Sequence, residues 1–369
     1  MIFFLDDYFL SLIFEFKNHY SMPMDRLYRN YTIIVPSFNR VDEIKDLLVS
    51  VEALVFNRNQ FELIIVDDGS TDNTIEFCRS RQVPSDLDFK FLTQENQGPG
   101  AARNKGMENA TGDFFIFIDS DCTVPPHWLS EIDQQINAEK ADAFGGPDSF
   151  HEDFSPLLKA INYSMTSFVT TGGLRGKKGR KLARFYPRSF NMGLSRKLWQ
   201  KIGGFGSLRH GQDIEYSNRI IKSHARVSFV EQAFVYHKRR TNLRRFYRQV
   251  YNWGVARVNL YKIDHAMLEP LHAMPALLTL LTILILVLAI FIGLFRWMVL
   301  AGLIFTFLIV VYSIIDAIRI YKDIKPALLV PFIIPAQIFG YGLGFINNFI
   351  RRVVFQKEEK VGFQKTYYK

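Results

Sequence analysis

Two carboxylates, Asp119 and Asp121, stand one residue apart in FIFIDSDCTVPPHW, at the end of the apolar run Phe114 to Ile118. In an extended chain, side chains two residues apart point the same way, about 6–7 Å from each other. At an effective surface dielectric, like charges at that distance repel by about 2–3 kcal/mol. A divalent cation turns this repulsion into attraction, and Mg2+ or Mn2+ is held by one or two carboxylates together with ligand phosphates. Two solvated, turn-capping aspartates are the alternative. A second acidic pair, Asp67 and Asp68, precedes Gly69 in VDDGSTDNT. Gly69 through Thr74 read as a strand-to-helix turn with capping residues, which leaves the two aspartates to accept hydrogen bonds from a base or ribose. Arg103, in NQGPGAARNKG, falls in the first turns of a helix, where it can face a diphosphate or form a salt bridge. Gly98 and Gly100 of the same stretch begin a G-x-G-x-x-G pattern, but its sixth position is Arg103. The first strand-to-helix turn, PSFNR, has no glycine, and both departures exclude a dinucleotide fingerprint.

The elements that must position these groups alternate. YTIIVPSF (31–38) is a strand-like run that ends at Pro36 and Ser37, and the segment after it places Val41, Ile44, Leu47, Leu48 and Val51 at helical spacing. FELIIVDDGS reads as a second strand, TDNTIEFCRS as a capped helix, FKFLTQ as a third strand, GPGAARNKGMENA as a helix and GDFFIFIDSD as a fourth strand. Runs apolar on both faces, alternating with helices, indicate an α/β fold with a mostly parallel sheet flanked by helices. Ligands of such sheets bind beyond the carboxyl ends of the strands, where Ser37, Asp67, Asp68, Asp119 and Asp121 all fall. Further on, FNMGLSRKLWQKIGGF reads as a strand, a helix and a Gly-Gly stop. QDIEYSNRIIKS reads as a helix with an acidic start, and SFVEQAFVYH as a strand ending at His237.

The chain has 369 residues and a formal charge of +9, with basic clusters at Arg175–Arg188 and His237–Arg248. Basic clusters beside hydrophobic spans favour a membrane surface or phosphorylated ligand over nucleic acid. Cys78 and Cys122 provide neither a disulfide framework nor metal-ligand spacing. The residues divide into an N-terminal amphipathic or interfacial segment (1–30), an α/β domain (31–240), a basic juxtamembrane helix (241–270), a transmembrane region (271–350) and a basic C-terminal tail (351–369). Two stretches in 271–350 have the roughly 20 apolar residues that a span requires. The third contains Pro331, Pro335 and three glycines, and a full third span would export the basic tail, so the positive-inside rule favours a re-entrant or interfacial segment. The same rule places the α/β domain on the cytoplasmic side of the cell (inner) membrane, with a multi-pass anchor.

In combination these motifs resemble the family 2 glycosyltransferases, inverting enzymes of the GT-A fold, from about Tyr31 to His237. VPSFNR stands for the family's first-strand motif, VDDGSTDNT and NQGPGAARNKGMENATGDFFIFIDSD match closely, and Asp119-Ser-Asp121 is its Asp-x-Asp. The resemblance implies a nucleotide-sugar pocket lined by Pro36, Ser37, Asp67, Asp68, Arg103 and Asp119. It further implies Mg2+ or Mn2+ on Asp121, with His237 as a further ligand. In GQDIEYSNRI, Asp213 would be the catalytic base; Gln212, with Asn191 and Gly193 of NMGLSRKLWQKIGGF, would lie on the acceptor side. The donor would be a UDP- or GDP-sugar and the acceptor a lipid-linked or other saccharide, with no role for nucleic acid. A polyprenyl-phosphate acceptor is the alternative within enzymology, and a catalytically silent scaffold is the alternative outside it. The processive members' Gln-x-x-Arg-Trp is here Gln249-Val-Tyr-Asn252-Trp253, which favours single addition over polymer extrusion.

Overall fold

The computed structural model describes residues 27–28, 30–81, 84–149, 154–167, 170, 186–208, 210–237 and 242–358. Most of the N-terminal segment, residues 171–185 with most of the first basic cluster, residues 238–241 and the end of the tail lie outside the described residues.

Four strands form the spine: β1 (Tyr31–Ser37), β2 (Phe61–Asp67), β3 (Asp88–Thr93) and β4 (Phe114–Ile118). They pair in parallel in the order β3-β2-β1-β4. β1, β2 and β4 are buried along their whole length, as their two-faced apolar pattern requires. Pairing of β1 to β4 ends at Ile34, two residues before Pro36, whose missing N–H would weaken a longer ladder. The intervening helices are α1 (Val41–Glu52), α2 (Thr74–Ser80) and α3 (Pro99–Asn109). Of the five apolar positions expected on α1, Ile44, Leu47, Leu48 and Val51 are buried.

Beyond β4 come β5 (Cys122–Thr123), α4 (Trp128–Ala138), β6 (Ala143–Gly145), β7 (Asp148–Ser149), α5 (Pro156–Thr166), β8 (Asn191–Ser195), α6 (Arg196–Ile202), α7 (Gln212–Lys222), β9 (Val227–Phe229) and β10 (Val235–His237). β8 inserts antiparallel between β4 and β6, so the sheet is mixed, with the order β3-β2-β1-β4-β8-β6-β9. The single strand expected over SFVEQAFVYH is two: β9 joins the large sheet, and β10 joins β5 and β7 in a small one. α4 turns Trp128, Leu129, Ile132 and Ile136 inward, and two polar side chains are buried beside them. Asp133 accepts from the Tyr31 hydroxyl at 2.6 Å, and Asn137, one turn on, accepts from Tyr28 N at 2.8 Å.

Four long helices complete the chain: α8 (Leu243–Ile263), α9 (Pro270–Phe291), α10 (Gly293–Tyr321) and α11 (Ile324–Phe349). α9, α10 and α11 are each long and apolar enough to cross a membrane. They differ in packing: 11% and 6% of the apolar windows of α9 and α10 are buried, against 39% for α11. The prolines and glycines do not interrupt α11, which is one continuous helix. Its glycines are contact points instead. A Cβ on Gly344 would collide with the Tyr251 carbonyl of α8, and one on Gly342 would lie 2.6 Å from the Pro275 carbonyl of α9. Gly254 of α8 answers them, since a Cβ there would sit 2.6 Å from Phe345 N. Asn348 fixes the register with hydrogen bonds of 2.8 Å to Val255 O and to Asn259 Oδ1. α5 docks on the other end of the group through Tyr163 to Asp316 and Asn162 to Tyr321, both 2.9 Å.

Candidate active site

The strand ends do gather the expected side chains, but each acidic pair behaves differently. Asp67 is fully buried. Its carboxylate accepts from Gly69 N (3.1 Å), Ser70 N (2.8 Å) and the Ser70 hydroxyl, so it builds the turn that Gly69 opens at φ +81°. Asp68 is 3% exposed and accepts from Gln94 Nε2 (2.8 Å), Gln97 N (2.9 Å) and Gly98 N (2.8 Å). Burial pushes its pKa up despite these bonds. Both aspartates, expected to face a base or ribose, bond within the protein in this structure. They stitch β2 to the loop before α3, and the N–H groups that a phosphate loop would present are spent on Asp68. Ser37, by contrast, is buried at the end of β1 with a hydroxyl that has no hydrogen-bond partner among the described residues.

Asp119 and Asp121 escape mutual repulsion through arginines. Arg103 donates from Nη2 to Asp119 Oδ1 at 2.5 Å, and its guanidinium lies 5.4 Å from the Phe205 ring centroid. Its Nε is buried without a partner among the described residues, so Arg103 holds one donor in reserve. Arg40 Nη2 lies 3.9 Å from Asp121 Oδ2, while its Nη1 pairs with Glu43 at 2.6 Å. β10 places the backbone of His237 opposite Cys122, the residue after Asp121. The His237 side chain lies outside the described residues.

Asp213 occupies the second position of α7, where the helix dipole favours a negative charge. Burial alone would raise its pKa; the charge and hydrogen bond of Arg188 (Nε to Oδ2, 2.6 Å) and the charge of Arg103 outweigh that and hold it below the usual carboxylate range. The helix bearing it rests on α8: Ile214 packs with Leu260 and Met267, and Gly211 (φ +86°) approaches Leu260 and Ala256 closely. Asp264 closes the joint, bonding Lys222 (2.7 Å) and Asn218 (2.9 Å). Arg257 of α8 interacts electrostatically with Asp213, Arg188 and Tyr186.

Asn191 and Gly193, expected on the acceptor side, are engaged within the fold. Asn191 is fully buried; it accepts from Trp128 Nε1 (3.2 Å) and donates to Ala233 O (2.7 Å) and Pro147 O (3.2 Å). Gly193 leaves room for the Phe144 and Phe114 rings. Both serve the seating of β8. Gln212 packs beside Gly100, at which a Cβ would lie 2.6 Å from its Oε1, and so joins α7 to the start of α3. Sequence reasoning missed Arg40, Arg188, Phe205 and Arg257. Arg188 carried a signal, since Phe185-Tyr186-Pro187 separate it from the basic run before it.

Residues 32–203 match the family model described as glycosyl transferase family 2. Among curated relatives, glycosyltransferase AglE of Haloferax volcanii is 31% identical over 119 residues, covering 32% of this chain and 39% of that protein. A probable glycosyltransferase of Sulfolobus acidocaldarius is 29% identical over 195 residues, covering 52% and 42%. The chain spans from 25% to 42% of the length of the first curated relatives it matches. Among solved structures, mannosyltransferase PcManGT from Pyrobaculum calidifontis, in complex with GDP-Man and Mn2+, superposes with a TM-score of 0.60 over 95% of each chain at 17% identity, a likeness of fold. With the mixed sheet and the Asp119-Ser120-Asp121 strand end, these matches liken residues 32–203 to the family 2 glycosyltransferases, in a domain of GT-A fold followed by three helices long and apolar enough to cross a membrane.

Proposed function

We propose that the chain moves a sugar from a nucleotide-diphosphate donor (a UDP- or GDP-sugar) to an acceptor hydroxyl of a lipid-linked saccharide, with inversion. The site would work at the cytoplasmic face of the cell membrane, in envelope polysaccharide or glycoconjugate assembly. The observation that carries this reading is the convergence of Asp213, on a helix seated against α8, with Arg188 and Arg103, the latter also paired with Asp119 at the carboxyl end of β4. An inverting displacement needs a base facing the nucleophile. Arg188 holds Oδ2 of Asp213, and the Asp213 carboxylate would take the acceptor proton as the new C–O bond forms and the bond to the diphosphate breaks. Asp119 and Arg103, with the Ser37 hydroxyl nearby at the end of β1, line the donor side.

The residues fit a divalent ion. Among the described residues no group of three His, Cys, Asp or Glu could hold a metal alone, so Asp121 would bind an ion whose other ligands come from the donor diphosphate, water and His237, as Mg2+ and Mn2+ allow. The neighbour crystallised with GDP-Man and Mn2+ supports a divalent ion beside a nucleotide-sugar. The bound ion would supply positive charge toward the leaving diphosphate. α9 and α10 would be the two spans. α11 would lie in the interface, because it packs along α8, whose exposed Arg244, Arg245 and Arg248 would each cost about 2.5–3.5 kcal/mol at the membrane centre.

A binding panel tests the reading. The full chain in detergent should bind one UDP- or GDP-sugar more tightly with Mn2+ or Mg2+ than with chelator, and Asp121→Ala should remove the difference. Metal-independent binding, or none to any nucleotide sugar, would count against it.

A further inference from the structure

The turn between α6 and α7, Gly203-Gly204-Phe205-Gly206, is held more firmly than a helix stop requires. Gly203, at φ +75°, is enough to end α6. From α7, the Tyr216 hydroxyl donates to Gly203 O (3.1 Å), Arg219 donates to Ile202 O and Gly204 O (both 2.7 Å), and Gln212 donates to Gly206 O (3.1 Å). From α3, Asn104 grips one residue of the turn twice. Its Nδ2 donates to Phe205 O (3.0 Å), and its Oδ1 accepts from Phe205 N (2.7 Å). Gly204 permits this approach, since a Cβ there would collide with Asn104 Oδ1.

With both its backbone groups fixed, Phe205 aims a buried ring at three elements. The ring lies edge-on to Phe117 of β4 with centroids 5.2 Å apart, against Tyr216 of α7 at 4.1 Å, and 5.4 Å from the Arg103 guanidinium of α3. Such ring contacts constrain orientation as well as adding stability. Phe117 precedes Asp119 on the same strand end, and Tyr216 stands about one turn after Asp213 on the same helix. Arg103, the chain neighbour of Asn104, touches both this ring and, at 2.5 Å, Asp119. The ring therefore stands between the strand that carries the Asp-x-Asp and the helix that carries Asp213.

We propose that Asn104 and Phe205 are positioning residues for the transfer, making residues 203–206 the joint that sets β4 and its aspartates in register with α7 and Asp213. The inference rests on the transferase reading for its purpose. A side-chain amide suits the task because it offers a donor and an acceptor side by side, matching the C=O and N–H of a single residue; an ionised carboxylate has no donor.

Transfer, donor binding and amide hydrogen exchange of the full chain in detergent test the joint. Asn104→Ala should lower kcat by about 10²-fold, the scale of a roughly 1 Å misplacement of reacting groups, with donor KM changed far less. Phe205→Leu should do the same. Because both side chains act through one joint, Asn104→Ala should add little in the Phe205→Leu background. In Asn104→Ala, exchange should rise over residues 203–218 and stay at the wild-type level in β1 and β2. A residue that only stabilised the fold would lower the unfolding temperature and leave kcat of the folded protein in place. Should Asn104→Ala fail to fold, Asn104→Ser and Phe205→Leu carry the comparison. An unmoved kcat in the folded variants, a loss confined to donor affinity, additive effects, or unchanged exchange over 203–218 would each overturn the proposal. The unaltered chain separates the two failures. If it transfers sugar and Asn104→Ala transfers as fast, the joint falls and the transferase reading stands; if it transfers from no donor, the reading falls and the positioning role falls with it.

Discussion

Asp119 and Asp121 do different work although one residue separates them. Arg103 neutralises the first at 2.5 Å and Arg40 approaches the second at 3.9 Å, so the strand end is electrostatically settled by arginines, and a metal and diphosphate would compete with contacts already made. Arg40→Ala should therefore change metal dependence: with less positive charge beside Asp121, half-maximal Mn2+ should fall, measured by donor binding across a metal titration. At Asp213 the sign of the pH effect follows from the opposing causes. Burial raises its pKa, while Arg188 and Arg103 lower it further than burial raises it. The proposed transfer needs the ionised carboxylate, so activity should fall as pH drops through the folded pKa. Arg188→Ala removes the main lowering influence, and the acid limb of the kcat/KM profile should move to higher pH; an unmoved limb would mean that Asp213 is not the titrating base. The Asp-x-Asp, Arg103 and Asp213 were legible because motif order marks them. Arg40, Phe205 and Arg257 were not, because a cation or ring reaching a site from a neighbouring element leaves no local spacing to read.

Elements position these residues by close backbone approach. α8 carries the seat of α7 on one face and α11 on another, and the second contact depends on Gly254 and Gly344. Gly344→Leu would force the helices apart. Overpacking of this kind costs about 1–3 kcal/mol, so the variant in detergent should unfold at lower temperature and lose activity, whereas Gly302→Leu on α10, where a Cβ meets nothing, should do neither. The joint through Asp264 has its own pH signature. Hydrogen bonds from Lys222 and Asn218 lower the Asp264 pKa. This group thus adds stability above its unfolded pKa and loses it as pH falls through the folded one. Asp264→Asn should flatten that part of the stability profile in acid-unfolding measurements. The parallel strands and α1 could be read from periodicity, because burial on the inner faces leaves only apolar residues there. α4 carries Leu129, Ile132 and Ile136 at helical spacing as well, but the buried partners of Asp133 and Asn137 lie far along the chain and leave no local signal, and the α11 glycines read as breaks when they are contacts.

At the scale of the molecule, a GT-A domain stands on helices with two kinds of surface. α9 and α10 are almost wholly unpacked apolar cylinders, and α11 is shared between its exposed side and α8. With the interfacial arrangement of α11, cysteines introduced at Lys322 and Phe355 should both react with a membrane-impermeant reagent from the catalytic side, and one at Gly293 only from the other. Reaction of Lys322 and Phe355 positions from opposite sides would make α11 a third span. The native Cys78 and Cys122 are buried and should stay silent. The central claim is sugar transfer with Asp213 as base, and the measurement that reaches it is transfer from a panel of labelled UDP- and GDP-sugars into lipid extract by membranes bearing the full chain. One donor should label the extract in the presence of Mn2+ or Mg2+, and Asp213→Asn should lower the rate by about 10²–10⁴-fold while donor binding persists. Transfer by Asp213→Asn at the wild-type rate, or no transfer from any donor, would contradict it.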